Sequence, residues 1–507
     1  MLVGGGAGSL AFGQTTLLGG VPVLYTPSSV PDATASQNVR PQPCQRATML
    51  DGTVKAGGGI AFSSGNPFAS DPGPSSRIGD FDLLTGAYAP FAIDFAGSAR
   101  GDVGWTIGRT YSQVQTTGSA QHVSDGAQGL NWFQASQPEL RIIPDGVSGT
   151  LDAAQIVLGA DRFIEFAQTA ENAATYAAVN GAGGVLERIA ADGEGEPQHY
   201  IYHQSNGTRT YFFGSGTSGN RADYQLWKIV GADGQTAYVG HPTSAATAAS
   251  TGYDANRNLL LAYDGANTGA GTSATAGGRR YTYSYTGSIG GRSRLAGVVV
   301  EQRTAMTASG WSSVETVATI EYSYYSGSSP YGLDGQLALV EVTTPLSTAS
   351  SSSHTRSTRY MYYSGTYVNT INADTGNRGN PGDLKFIFES EGIRQLEHTT
   401  GFGSTISWTS APSVLVPYSA AYFQYPQNDH RPDRATFNGE CGCSGGAAGE
   451  YLFTYAAGLN AGSMTSGYDA YATSRTVVTQ PDGHFATHFF DEAGQPLARL
   501  ITAGNPS

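Results

Sequence analysis

The clearest pattern in the chain is the stretch Thr476-Val-Val-Thr-Gln-Pro-Asp-Gly-His-Phe-Ala-Thr-His-Phe-Phe-Asp-Glu-Ala-Gly-Gln-Pro-Leu-Ala-Arg-Leu-Ile501. Its centre, Pro481-Asp482-Gly483, predicts a tight turn, because proline presets the first turning residue and glycine tolerates a positive φ. The following residues alternate with a period of two, which predicts a strand whose buried face carries Phe485, Thr487 and Phe489. A second turn and a third strand complete the stretch, which therefore predicts β-hairpins.

Degraded copies of this strand and turn unit recur upstream. The best copy, Tyr253-Asp-Ala-Asn-Arg-Asn-Leu259, repeats the aromatic residue followed by Asp, the turn and the next Leu. The other copies share a glycine turn or a Tyr-x-Tyr strand, and they lie at Asp233–Val239, Tyr281–Val300, Tyr322–Val342, Tyr360–Phe388 and Glu391–Leu396. Their spacing is irregular, so we expect a hairpin repeat with loops of variable length.

This order of features resembles the YD repeats of Rhs-type proteins. In the resemblance, Arg257 stands where the family usually has glycine. An upstream block, Gly79–Gly86 followed by Ile93–Phe95 and Trp105–Ser112, is similar to the segment that precedes the repeats in many Rhs proteins. The residues that match turn positions of the repeat, with a structural role, are Tyr253, Asp254, Asp482, Gly483, Asp491 and Gly494.

The resemblance implies an all-β fold in which a long, curled antiparallel sheet of YD-type hairpins forms part of a β-shell. It implies a structural segment of a secreted or cell-surface protein of the polymorphic-toxin type, without catalysis of its own. The implied partners are a C-terminal effector domain or neighbouring repeats of a longer chain. No core motif that closes such a shell follows Ile501, so we expect the N-terminal part of something longer or a divergent member. An open sheet would leave an unpaired edge, which predicts self-association.

Composition divides the chain into three regions. Residues 1–75 are a Gly- and Pro-rich leader or linker, either the tail of a truncated signal peptide or a disordered leader. Residues 76–220 are predicted to be a β-rich domain that leads into the repeats, and residues 221–507 to be the repeat region. Within the repeats, the Ser- and Thr-rich run Leu346–Arg359 is predicted to be a loop.

Charge and residue usage exclude several classes of protein. Charged residues are 13% of the 507, while Gly numbers 69 and Tyr 29, a profile typical of extracellular β-architecture. The net charge of −13 disfavours nucleic acid and anionic membranes as partners. No run approaches the roughly 18 apolar residues of a membrane-spanning helix.

The three cysteines are too few for a disulfide scaffold, and two of them form a C-x-C thiol pair. Cys441 and Cys443 could bind a soft metal, but a closed zinc site needs about four ligands and the sequence supplies no further pair. A disulfide with Cys44 and unpaired thiols are the other readings. The G-x-S-x-G match at Gly442–Gly446 lacks the strand and helix that a hydrolase elbow needs. We predict no metal and no cofactor.

Two alternative functions remain open at this stage. The chain could be an adhesin that binds a glycan or protein through exposed aromatic residues and loops, or a glycoside hydrolase with an unrecognised carboxylate pair. Cross-strand packing within the sheet also explains the tyrosines, and turn capping explains most of the acidic residues. The aspartates assigned to turns are Asp233, Asp254, Asp264, Asp334, Asp482 and Asp491.

Overall fold

The computed structural model describes most of the chain beyond residue 77. The described residues are 15–18, 21–24, 77–78, 81–83, 88, 90–96, 104–111, 125–134, 137–144, 152–158, 163–171, 173–179, 184–191, 198–215, 223–240, 252–254, 256–264, 278–289, 292–307, 310–345, 352–368, 378–437, 449–457, 472–490 and 496–503.

Short strands in small sheets come first along the described chain. They are β1 (Thr15–Leu18), β2 (Val21–Leu24), β3 (Arg77–Ile78), β4 (Phe81–Asp82), β5 (Phe91–Ala96), β6 (Thr106–Tyr111), β7 (Asp125–Gly126), β8 (Gly129–Leu130) and β9 (Trp132–Gln134). Strands β5, β6 and β9 form a three-stranded antiparallel sheet, and β1–β2, β3–β4 and β7–β8 are two-stranded. We call residues 77–134 the inner segment.

One sheet of 22 antiparallel strands contains the rest of the described strands, and each strand pairs with the next along the chain. Its strands are β10 (Glu139–Ile143), β11 (Ala153–Val157), β12 (Phe163–Gln168), β13 (Thr175–Ala178), β14 (Val185–Ile189), β15 (His199–His203), β16 (Arg209–Phe213), β17 (Leu226–Val230), β18 (Thr236–Val239), β19 (Leu261–Asp264), β20 (Arg279–Ile289), β21 (Arg292–Thr307), β22 (Gly310–Tyr324), β23 (Leu337–Pro345), β24 (Ser353–Tyr362), β25 (Leu384–Glu389), β26 (Ala421–Gln424), β27 (Arg434–Phe437), β28 (Glu450–Ala457), β29 (Ser474–Thr479), β30 (Phe485–Phe490) and β31 (Pro496–Thr502). The predicted all-β class with a long antiparallel sheet is therefore confirmed.

The sheet curls on itself without closing. Seven spacings of about 4.8 Å separate β10 from β17 along the strand order, or roughly 34 Å in a flat sheet. Nevertheless, the Leu140 N–H donates a hydrogen bond of 3.0 Å to the Tyr224 carbonyl oxygen, and Glu139 forms a β-bridge with Gln225 immediately before β17. The first strands must therefore complete a turn. The two end strands, β10 and β31, do not pair with each other.

A leucine–tyrosine pair recurs along the sheet. In each pair a tyrosine hydroxyl donates a hydrogen bond to the backbone carbonyl of a fully buried leucine at or near the start of a strand. The pairs are Tyr253 with Leu226 (2.8 Å), Tyr285 with Leu259 (2.8 Å), Tyr324 with Leu295 (2.8 Å), Tyr362 with Leu337 (3.0 Å) and Tyr425 with Leu384 (2.8 Å). The first four are 25 to 29 residues apart and the last is 41 apart. The sheet thus has a structural repeat.

Helices between β25 and β26 account for the longer separation in sequence between Leu384 and Tyr425. The helices are α1 (Ser390–Glu397) and α2 (Pro412–Leu415), followed by a short 3-10 helix, Val416–Tyr418. The prediction of a repeat strand at Glu391–Leu396 is therefore wrong. Ile393 and Leu396 lie three residues apart and pack on one cluster with Phe386 and Phe388, on the face of β25 opposite to Leu384. The helices cover the outer side of the sheet.

The prediction of a single buried face on β30 is confirmed for Thr487 and Phe489, but it is wrong in leaving the opposite face open. Ala486 and Phe490 are fully buried in the main core, whereas Phe485 is only half-buried. Thr487 and Phe489, on the face predicted to be buried, are shielded as well, at 3% and 7% exposure. The strand has two covered faces, so alternation of apolar residues could not identify the inner one.

The predicted loop at Leu346–Arg359 is wrong in its second half. Strand β24 begins at Ser353, which lies opposite Pro345, the last residue of β23. Further along, Thr358 lies opposite Glu389, the last residue of β25. Low-complexity sequence does not prevent strand pairing here, because threonine is β-branched and suits a pleated surface. Thr343 and Thr355, which lie opposite each other, share a hydroxyl–hydroxyl hydrogen bond of 3.0 Å.

A single main core joins the inner segment to the sheet. Buried residues of the inner segment and of strands from β10 to β30 belong to one continuous cluster. The tyrosines of the Tyr-x-Tyr strands that face it are 0% to 5% exposed, and they are Tyr281, Tyr283, Tyr322, Tyr360 and Tyr362. Hydrogen bonding also continues across residue 220, through β16 and β17, so the division at that point stays a prediction.

Candidate functional site: the anchors of the inner segment

The first anchor joins Trp105 to β19 and β20. Trp105 Nε1 donates a hydrogen bond of 2.8 Å to Tyr283 Oη, and its backbone N–H donates one of 3.3 Å to Asp264 Oδ2. The Tyr281 hydroxyl donates to the same carboxylate, and the Arg279 N–H donates to Oδ1 at 3.1 Å. Burial raises the pKa of Asp264, although these hydrogen bonds act in the opposite direction. Asp264 was predicted to lie in a turn, but it ends β19 and is only 4% exposed.

The second anchor is a buried ion pair. Arg109 Nη1 donates to Asp94 Oδ1, and the two side chains are 1% and 5% exposed. Tyr322 Oη donates a hydrogen bond of 2.9 Å to Asp94 Oδ2, while Arg109 Nη2 donates one of 2.7 Å to Tyr360 Oη. Arg356 Nη2 donates another, of 2.8 Å, to the Asp94 carbonyl oxygen. The pair therefore ties β5 and β6 to β22 and β24.

Burial and charge oppose each other at this ion pair. Burial of the guanidinium lowers the pKa of Arg109, but the adjacent Asp94 carboxylate raises it further, so the net shift is upwards. Burial raises the pKa of Tyr360, which keeps its hydroxyl neutral. Arg109 thus remains a cation whose charge is balanced inside the protein. This arrangement can hold two elements together with a defined register.

The third anchor is aromatic and centres on Trp132. Its Nε1 donates a hydrogen bond of 2.8 Å to Tyr362 Oη. The Tyr111 ring lies 5.1 Å from the Trp132 ring, and the Arg109 guanidinium carbon lies 5.5 Å from it. Each of these residues is buried, so the cation over the ring is shielded from water.

The fourth anchor is a close backbone approach at the β7–β8 hairpin. The Ala127 carbonyl oxygen accepts a hydrogen bond of 2.7 Å from the Leu295 N–H. Tyr324 Oη lies 3.1 Å from the same oxygen, and its single proton is shared with the Leu295 carbonyl oxygen at 2.8 Å. Gly129 next to it has φ of +103°, and a Cβ there would lie 2.9 Å from the Gly335 carbonyl oxygen. Only glycine fits this position without a shift of the backbone.

The last anchor reaches the C-terminal strands. The Phe81 ring stacks on Phe453 at 4.7 Å and meets Phe437 edge-on at 5.9 Å. The Thr476 hydroxyl donates a hydrogen bond to the Leu83 carbonyl oxygen across 393 residues of sequence. The inner segment therefore contacts strands from β19 to β29, which makes it the internal support of this part of the sheet.

A separate polar cluster joins two loops at the edge of this core; we call it the His430 cluster. His430 Nδ1 lies 2.6 Å from Asp383 Oδ1. Asp383 Oδ2 accepts hydrogen bonds from the backbone N–H of Asn380 at 2.9 Å and from its Nδ2 at 3.0 Å. The cluster consists of Arg378, Asn380, Asp383, Asn428, Asp429, His430, Arg431 and Asp433.

The turn residues predicted from the sequence lie where they cap backbone groups. Asp254 Oδ1 accepts hydrogen bonds from the N–H groups of Asn256 at 2.8 Å and Asn258 at 2.9 Å. Asp482 Oδ1 accepts one from the His484 N–H at 3.0 Å, and Gly483 has φ of +83°. Turn capping is thus confirmed at these two aspartates.

Two further aspartates confirm the same role. Asp233 Oδ1 accepts a hydrogen bond of 3.0 Å from the Gln235 N–H, and Asp334 Oδ1 accepts one of 3.1 Å from the Gly327 N–H. The other predicted positions lie outside the described residues, and they are Asp491, Gly494, Cys44, Cys441 and Cys443. The structure does not bring the described turn residues together, since Tyr253 and Asp482 belong to different hairpins.

Sequence patterns alone did not identify the anchors as a site. Asp94 and Arg109 each look like a single charge within a short apolar strand, and their pairing depends on a fold that joins β5 to β6. The one available signal was a charged residue inside each strand pattern, because a buried charge requires a partner.

Two classes of site are not found in the part of the chain that is described. No group of three or more His, Cys, Asp or Glu residues among the described positions could hold a metal ion. No helix among them has the length and apolar character needed to cross a membrane.

Comparisons with known proteins give only weak structural likeness. No family model and no curated protein matches the sequence. The N-terminal domain of the effector protein SpvB from Salmonella typhimurium strain LT2 is similar with a TM-score of 0.31 and 12% identity, over 49% of this chain and 97% of that chain. A porin-like protein from Bacteroides uniformis is similar with a TM-score of 0.19 and 10% identity, over 72% of this chain and 94% of that chain. Both TM-scores are too low to define a shared fold.

Proposed function

We propose that the chain is a structural β-shell segment of a secreted or cell-surface protein of the Rhs type, without catalysis of its own. The observation that carries the proposal is the leucine–tyrosine pair, repeated five times along one curled sheet of 22 strands. In this sheet each strand pairs with the next along the chain, so the repeats build one extended wall. A wall of this kind is suited to a scaffold.

The state of the buried charges supports a scaffold role. Asp94 and Arg109 are engaged with each other and with two tyrosine hydroxyls, and Asp264 accepts hydrogen bonds from both the inner segment and the sheet. Groups bound in this way stabilise a fixed geometry. A catalytic carboxylate needs instead a position from which it can reach a substrate.

The adhesin alternative receives no support from the tyrosine ladders. Tyr281, Tyr283 and Tyr322 are 0%, 4% and 5% exposed, so their rings cannot stack on a sugar. Cross-strand packing and anchoring of the inner segment account for them instead. We therefore propose as partners an effector domain or further repeats in a longer polypeptide.

The test uses the native protein from its source cells. An antibody raised against the recombinant chain would recover it from the medium, the cell surface and the cell interior. We expect it outside the cell, as a polypeptide larger than the 52.8 kDa of this chain, with additional sequence that resists protease while the sheet is folded.

The control is the same digestion after the sheet has been unfolded in denaturant, which should make the additional sequence sensitive. Recovery of a polypeptide of 52.8 kDa from the cell interior only would contradict the proposal. Retention of the isolated chain on a glycan array would favour the adhesin instead.

A further inference from the structure

The two ends of the large sheet differ in how their edges are used. At the first end, the Leu140 N–H of β10 donates to the Tyr224 carbonyl oxygen, because the sheet curls back on itself. At the other end, β31 has one partner strand in the sheet, β30. A further strand could therefore extend the sheet at β31, and edge strands of this kind are where chains associate.

The N-terminal hairpin of β1 and β2 lies beside this edge. Cα atoms of β1 come within 8 Å of Cα atoms of β31. Neighbouring strands of one sheet are about 4.8 Å apart, whereas stacked sheets are about 10 Å apart. The approach therefore places β1 alongside β31 rather than over one of its faces. No ladder joins the two strands, since β1 and β2 form a separate two-stranded sheet.

Strand β2 has a feature that suits the end of a sheet. Of the two hairpin strands, β1 is the one that approaches β31, so β2 forms the far side of the hairpin. Pro22 of β2 lies opposite Leu17 of β1. Proline has no N–H to donate, and in sheets it occurs on edge strands whose donor side faces solvent. The hairpin can therefore cover the edge of β31 without offering an equally good edge of its own.

The composition of the hairpin also favours contact with another edge. Neither Thr15–Leu18 nor Val21–Leu24 contains a charged residue, and β31 contains one, Arg499. Charged side chains are a common means of keeping edge strands apart. Contact between the hairpin and β31 therefore covers two edges that are poorly protected by charge.

We propose that the hairpin of β1 and β2 is a cap that covers the edge of β31 and competes there with a second copy of the chain. Because no ladder joins β1 to β31, the cap can leave without breaking the large sheet. While the cap is in place, the edge is shielded and association needs a higher concentration of the chain. When it leaves, β31 pairs with β31 of a second copy about a two-fold axis, and the two sheets join into one.

The first measurement locates the hairpin. The photo-crosslinking residue benzoylphenylalanine replaces either Thr16 or Leu17 in the full chain, which is irradiated in dilute solution. We expect cross-links within one chain to peptides that contain β31. The control places the same residue at Val299, on β21 in the interior of the sheet, and should give no cross-link to β31. Cross-links from both hairpin positions that avoid β31 would overturn the cap.

The second measurement tests the competition. Thr16→Pro combined with Leu17→Pro removes two donors from β1 and disrupts its pairing with β2, while the large sheet keeps every residue. We expect this variant to associate at a concentration about tenfold lower than the native chain, because the loss of one or two hydrogen bonds shifts a local equilibrium by about that factor. Light scattering coupled to sizing chromatography over a dilution series would measure the mass.

The matched control is Thr16→Val combined with Leu17→Val, which keeps residues suited to a strand at the same positions and should associate like the native chain. Leu500→Lys added to the proline variant should return it towards monomer, which assigns the association to β31. Equal association of the native chain and the proline variant, including a monomer in both at every concentration, would overturn the proposal.

Discussion

Tyr362 Oη donates a hydrogen bond of 3.0 Å to the Leu337 carbonyl oxygen. The same hydroxyl oxygen accepts one of 2.8 Å from Trp132 Nε1. One side chain thus belongs both to the repeat of the sheet and to an anchor of the inner segment. The sheet and its internal support are therefore coupled at the level of single hydroxyl groups.

Tyr362→Phe should destabilise the protein more than Tyr253→Phe. The first change leaves the buried Trp132 Nε1 without an acceptor, which costs about 1–3 kcal/mol. The second removes only a hydrogen bond of 2.8 Å to the Leu226 carbonyl oxygen. Midpoints of urea unfolding, followed by tryptophan fluorescence, would measure the difference. Equal midpoints for the two variants would contradict the coupling.

Removal of one member of the Asp94–Arg109 ion pair should be more harmful than removal of both. Asp94→Leu leaves a buried guanidinium without its carboxylate, at a cost of about 3–5 kcal/mol. Asp94→Leu combined with Arg109→Met removes both charges, and we expect it to recover a large part of that loss. Thermal unfolding of the single and double variants would measure the coupling. Glu391→Gln, which breaks an exposed pair with Arg394, is the control and should leave the midpoint unchanged. A double variant less stable than either single variant would count against the ion pair as the source of the effect.

The hairpins could be predicted from sequence because their signals are local. Turn capping by Asp254 and Asp482 uses atoms two to four residues away. The helix α1 has local signals as well, since Glu391 binds Arg394 three residues later, but similarity to the repeats favoured a strand there. At that position the spacing of Glu391 and Arg394 indicates the observed helix, whereas similarity to the repeats does not.

The candidate site could not be predicted, because its contacts are distant in sequence. Trp105 meets Asp264 across 159 residues, and Arg109 meets Tyr360 across 251. Sequence patterns show that a residue is apolar or charged, but they do not show which distant strand will cover it. The curvature of the large sheet determines which strands meet, and it brings strands seven positions apart in the strand order into contact.

Arg257→Gly should stabilise the protein. Arg257 is exposed, and its φ of +66° lies in the left-handed region that costs a non-glycine residue about 1–2 kcal/mol. Glycine removes that cost but adds freedom to the unfolded chain, so we expect a net gain of about 0.5–1 kcal/mol. The converse control is Gly234→Ala, at φ of +80° with no atom within 4 Å, which should destabilise through the backbone alone. Chemical unfolding of both variants would measure the changes, and a less stable Arg257→Gly would show that the arginine side chain contributes more than the strain.

The last strand of the large sheet should make the chain self-associate. Within that sheet β31 pairs only with β30, and β1 lies beside it without forming a strand pair, so β31 is the place where a second copy could extend the sheet. Light scattering coupled to sizing chromatography should show a mass that rises with concentration. Leu500→Lys places a charge on this edge strand and should shift the equilibrium towards monomer, since charged side chains oppose pairing between edges. Val299→Lys is the matched control, because Val299 is 36% exposed but lies on β21 in the interior of the sheet, where both neighbours are already paired. A monomer at every concentration, or an equal effect of the two substitutions, would show that association does not use the edge of β31.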